Sequence, residues 1–107
     1  MWNTPSEKRL AKVPRMFETD GIPVPEKEIY LHFFIGGSDW YVIEFGEDQF
    51  FGYVIINQDK EMAEFGYFSF SELKALKSSY VEVDCESAKY WKPTKIKDIG
   101  NLSHLIK

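Results

Sequence analysis

Residues 29–68 read IYLHFFIGGSDWYVIEFGEDQFFGYVIINQDKEMAEFGYF. Four runs of apolar and β-favouring residues stand out: Ile29–Ile35, Trp40–Phe45, Phe50–Ile56 and Ala63–Phe68. The breaks between them, Gly36-Gly37-Ser38-Asp39, Gly46-Glu47-Asp48-Gln49 and Asn57–Glu61, carry turn-forming and charged residues. Connections this short predict antiparallel neighbours, because a parallel crossover needs about a dozen residues or more. Strict alternation places Tyr41, Ile43 and Phe45 on one face and Trp40, Val42 and Glu44 on the other. Phe51, Tyr53 and Ile55 oppose Phe50, Gly52, Val54 and Ile56 in the same way. Neither face is polar, so the sheet is either covered on both sides by the rest of the chain or presents an apolar surface to a partner.

The flanking segments supply short helices. Thr4-Pro5-Ser6-Glu7 reads as a capping box with Thr4 as N-cap, and Pro14 disfavours helical geometry at Val13 and keeps that helix short. Gly21-Ile22-Pro23-Val24-Pro25 is an extended linker expected to lie across the sheet. Ser69-Phe70-Ser71-Glu72 opens a second helix through about Lys77, Tyr80–Val83 is a candidate fifth strand, and Gly100-Asn101 breaks a C-terminal helix over 95–107. The expected fold is α+β: an antiparallel four- to five-stranded meander with two or three short helices. It forms a single domain, 1–107, with an N-terminal helix and Pro-rich linker (1–28), the strand meander (29–68), and a helix, edge strand and tail (69–107).

Composition narrows the function classes. At 107 residues with 17% aromatics, the chain holds enough large rings to build much of a small core. No run approaches the ~20 apolar residues of a membrane-spanning helix. The first residues lack a signal peptide's basic and apolar regions, and a lone cysteine forms no internal disulfide. These features lead to the expectation of a cytoplasmic protein that does not engage a membrane. Charge is unevenly placed: residues 16–66 hold eleven acids against Lys27 and Lys60, a net of −9, whereas residues 1–15 are net +3 and residues 67–107 net +2. An acidic field of this kind repels phosphate and attracts basic surfaces, and it also keeps an aromatic-rich sheet soluble.

Candidate chemistry is sparse. Cys85 and His32 are the one Cys–His combination with catalytic potential, but Asp84 and Glu86 flank Cys85 and raise a thiol's pKa. One cysteine and two histidines do not make a zinc cluster, and Glu47-Asp48 and Asp59-Lys60-Glu61 lack EF-hand spacing. Gly36-Gly37 lacks a P-loop's Gly-Lys-Ser/Thr. Glu44 and Glu64 lie inside strands among apolar neighbours, where burial raises a carboxyl pKa and an outward orientation does not. No catalytic residue, cofactor or metal is expected.

Two binding readings follow. In the first, Glu47, Asp48, Asp59, Glu61 and Glu64 form one acidic patch facing a basic partner surface, with Trp40 and Tyr53 as aromatic anchors. In the second, sheet aromatics and the patch Lys89, Tyr90, Trp91, Lys92, Lys95 and Lys97 bind single-stranded nucleic acid. Overall negative charge weighs against the second, since phosphate neutralisation supplies most non-specific affinity.

The order of Trp2-Asn3-Thr4-Pro5, Phe17-Glu18-Thr19-Asp20, Leu31-His32-Phe33-Phe34-Ile35-Gly36-Gly37, Asp39-Trp40-Tyr41, Phe50-Phe51-Gly52-Tyr53, Glu61–Tyr67, Ser69–Leu73 and Tyr90-Trp91-Lys92-Pro93 resembles a family of small uncharacterised proteins. That family, known by a domain-of-unknown-function label, occurs on bacterial conjugative elements, plasmids and phages. The resemblance spans residues 2–93. It implies a non-enzymatic accessory protein of a mobile element, and by analogy with small acidic proteins of such elements, an anti-CRISPR or anti-restriction inhibitor of a nucleic-acid-processing host complex.

Overall fold

The computed structural model describes residues 1–106. In chain order the elements are α1 (Glu7–Leu10), a 3-10 turn (Val24–Glu26), β1 (Glu28–Ile29), β2 (Leu31–Ile35), β3 (Ser38–Gly46), β4 (Gln49–Ile55), β5 (Glu64–Ser69), α2 (Phe70–Ala75), β6 (Lys77–Ser78), β7 (Val81–Glu82), β8 (Asp84–Cys85), β9 (Thr94–Lys95) and two further 3-10 segments, Ile96–Asp98 and Gly100–Leu105. The main sheet has five antiparallel strands in the order β5-β4-β3-β2-β8, so the fold is α+β with a meander of β2 to β5 and a fifth strand at one edge. The fifth strand is β8, displaced from the expected Tyr80–Val83. Val81 and Glu82 instead fold back on Lys77 and Ser78 as a two-residue hairpin.

The N-terminal helix is capped by Ser6, whose hydroxyl accepts from the Arg9 amide, and the Thr4 hydroxyl donates to the Met1 carbonyl instead. Ser69 caps α2 as its sequence signature predicts, accepting from the Glu72 amide, but the helix stops at Ala75. The tail is broken as expected, into 3-10 segments.

Both faces of the central strands β2, β3 and β4 are covered by the chain itself. Leu31, Phe33, Trp40, Val42 and Phe50 pack beneath Val13, Phe70, Leu73 and Val83, which come from the α1 and α2 side. On the other face Tyr41, Ile43, Tyr53 and Ile55 pack against Ile96 and Leu102, with Val24 of the Pro-rich linker alongside.

The alternation expected in β3 fails after Val42. The register slips between Val42 and Glu44, a β-bulge. Beyond it Phe45 joins Phe50 and Phe70 on the first face, while Glu44 lies opposite Phe51. One extra residue has exchanged the two faces. Gly52 makes this possible, because a Cβ there would run into the Tyr41 carbonyl oxygen.

Candidate interaction site

Meander geometry divides the expected acidic patch. Glu47 and Asp48 form the β3–β4 turn, whereas Asp59 and Glu61 sit in the β4–β5 loop. Successive turns of a meander lie at opposite ends of the strands, and the seven residues of β4 separate these two by roughly 20 Å at about 3.3 Å per residue. Glu64 opens β5, across from Val54 and near the second loop. The carboxylates therefore do not make one surface. Two of them are also engaged within the chain: Asp59 accepts from the Glu61 and Met62 amides of its own loop, and Asp48 accepts from the Ser69 hydroxyl and the Ser71 amide at the start of α2. The Ser71 side chain foremost, with the Ser69 hydroxyl and the Ser71 amide, holds the Asp48 carboxyl below the usual carboxylate range.

The expected anchors are core residues. Trp40 is 7% exposed and Tyr53 3%, because inward-facing positions of a sheet covered on both sides cannot reach a partner. The Tyr53 hydroxyl lies 2.8 Å from Nε2 of His104 in the tail.

The basic patch is also rearranged. Lys95 and Lys97 both pair with Glu26, at 2.8 and 2.9 Å, and the two ammonium groups lower the Glu26 carboxyl. Trp91 is half-buried, its indole N–H donating to the Ile29 carbonyl, while Tyr90 stands exposed with the Lys89 ammonium 5.5 Å from its ring centroid. Of the sheet aromatics, Phe33, Trp40, Tyr41, Phe50 and Tyr53 are buried and offer no face for a base to stack on.

The most unusual geometry lies beside the β3–β4 turn. The bulge sends the Glu44 carboxylate into a buried position. There one oxygen accepts from the Phe17 amide at 2.9 Å, and the other accepts from the Thr19 amide and hydroxyl. Lys27 closes the cluster by donating to the Thr19 carbonyl. Burial pushes the Glu44 carboxyl up, but the Thr19 hydroxyl, the two amides and the Lys27 charge together hold it below its ordinary value.

That carboxylate fixes a turn over Arg15–Glu18 in which Phe17 has φ 69°. A bulky residue there is a backbone outlier, in a position that turns usually give to glycine. The ring so held is 65% exposed. It shares an open depression with Arg15, Met16, Gly46, Glu47, Gln49 and Tyr67, and Tyr67 is itself 55% exposed. The adjoining turn is strained in the same sense, since Glu47 and Asp48 have φ 49° and 69° in a two-residue hairpin loop that favours Asn-Gly. Glu18 and Asp20, next in the chain, are exposed, as is Arg15 in the depression itself. Sequence reading missed Phe17 and Tyr67. Phe17 belongs to no periodic run, and Tyr67 alternates with Phe65 in β5 like any inward-facing strand residue.

Of the potential chemical groups, His32 is 2.7 Å from Asp39 through Nε2 and 3.1 Å from Glu86 through Nδ1, and its ring stacks on Tyr41. Both ring nitrogens face carboxylates of the chain itself. Burial pushes the Cys85 thiol up to about 11, despite the lowering effect of nearby Arg9, so it is not an activated nucleophile. Among the described residues no helix is long and apolar enough to cross a membrane. The chain matches no protein-family model, no curated protein and no solved structure.

Proposed function

We propose that the chain is a non-enzymatic protein-binding module that docks through Phe17 and Tyr67. The supporting observation is the exposure of Phe17 on unfavourable backbone held by a buried carboxylate. A strained φ persists only where surrounding structure enforces it, at a cost of about 1–3 kcal/mol, and such positions concentrate at functional sites. Paired exposed aromatics are typical interface anchors, and Glu18, Asp20 and Glu47 around them favour a partner with a basic surface. Occupied nitrogens on His32 and a protonated Cys85 support the non-enzymatic part of the reading.

The finer form is a cytoplasmic accessory protein of a phage or other mobile element that inhibits a nucleic-acid-processing defence complex. Its supports are the family resemblance and the net −9 of residues 16–66; the docking geometry itself does not depend on it. The test compares proteins captured from a host lysate by wild type and by the double variant Phe17→Ser/Tyr67→Ser, with melting temperatures matched. A partner lost in the variant supports the site. Identical capture sets would remove it.

A further inference from the structure

A second surface forms where two basic parts of the chain, remote in sequence, converge. Arg9 of α1, Lys12 just beyond it, and Lys92 line one cavity of about 190 Å³ together with Tyr30 and Trp91. Among the described residues none of the three cations has an ion-pair partner, in contrast to Lys95 and Lys97 on Glu26. The Arg9 guanidinium is the most telling group. Its Nη1 makes only a long contact, 3.8 Å, to the Cys85 sulfur, and its Nη2 is buried with no hydrogen-bond partner. The carboxylates flanking Cys85 are committed elsewhere: Asp84 accepts from Asn3 and the Cys85 amide, and Glu86 faces His32. Burial and the charge of Glu28 raise the Tyr30 hydroxyl, but among the described residues Glu28 pairs with none of the three cations.

A buried, unpaired guanidinium N–H is costly, and a charged oxygen acceptor satisfies it best. Three uncompensated cations around a small cavity suit the charge of a phosphate better than a single carboxylate. Tyr30 and Trp91 add flat aromatic surface beside it, the combination that holds a base next to its phosphate. We infer that this cavity binds a nucleotide, its phosphate on Arg9, Lys12 and Lys92 and its base against Trp91 or Tyr30. The site shares no residue with the Phe17–Tyr67 surface, and its standing is independent of the docking proposal.

The test is a titration of isotope-labelled protein with inorganic phosphate, adenosine monophosphate and a short oligodeoxythymidylate, following the Trp91 indole N–H and the Arg9 resonances. Both nucleotide probes should shift these signals at millimolar concentration, more weakly as salt rises, and inorganic phosphate should bind less well. Lys12→Gln/Lys92→Gln, at exposed positions, should lower nucleotide affinity by at least about tenfold with an unchanged melting temperature. Phe17→Ser/Tyr67→Ser should leave it unaltered. Tighter binding of the oligonucleotide than of the monophosphate would place the ligand within a single strand; equal binding would indicate a free nucleotide. Absence of shifts with either nucleotide, or full affinity in the lysine double variant, overturns the proposal. Equal binding of inorganic phosphate removes its aromatic half.

Discussion

The Glu44 cluster and the Arg9 cavity each bury part of a charged side chain, and they resolve that burial in opposite ways. Around Glu44 both carboxylate oxygens are occupied by amides and a hydroxyl, with Lys27 behind them. The unfavourable term has moved into the backbone, at Phe17, and what emerges is an exposed aromatic ring on a broad, open depression. At Arg9 the backbone is ordinary helix and the unfavourable term stays in the side chain, as a buried donor without an acceptor beside a cavity that the residue lines. Exposed rings on a broad depression suit a protein surface, whereas cations around a small cavity suit a small anion.

The largest expected effect breaks the first region. Glu44→Ala leaves the Phe17 and Thr19 donors without their acceptor and Lys27 without its neighbouring opposite charge, and should destabilise the protein by about 3 kcal/mol in urea denaturation at neutral pH. Amide exchange at Phe17 and Thr19 should rise with it. A loss under about 1 kcal/mol would mean that the carboxylate does not organise the turn.

Acid should act on the same group. The folded-state pKa of Glu44 is depressed, so its stabilisation is present above the unfolded value of about 4.3 and is lost as pH falls through the folded value. Wild type should therefore lose urea resistance on the acid side faster than Glu44→Gln. Parallel curves for the two would sink this assignment.

Smaller effects sharpen the contrast. Phe17→Gly relieves the backbone and should raise stability by up to about 1 kcal/mol while abolishing partner capture. A stable, binding-competent glycine variant would separate the strain from docking. Arg9→Met should change stability by about 0.5 kcal/mol or less, since removing an unsatisfied cation offsets the lost contacts. A large loss there would make Arg9 a structural residue and not a ligand group.

How much of this was legible in the chain depended on whether the signal was local. Four strands, their turns and the Ser69 cap follow from alternation and short polar breaks, and all appear. The bulge does not, because inserting one residue leaves the apolar composition of Trp40–Phe45 unchanged. From that one slip follow the misplacement of Phe45 and the burial of Glu44, and with Glu44 the Phe17 turn. The division of Glu47 and Asp48 from Asp59 and Glu61 was readable from meander order alone. The Arg9–Lys12–Lys92 convergence was not, since it depends on where the chain termini pack against the sheet.

Gly52 carries one more implication. Bulge and glycine are two halves of a single fit, so neither can drift without the other. In a diverged copy of this chain, any side chain at the equivalent of Gly52 would diagnose a β3 shorter by one residue. The carboxylate of Glu44 would then turn to the opposite side, and the loop that holds Phe17 aloft would lose its mooring.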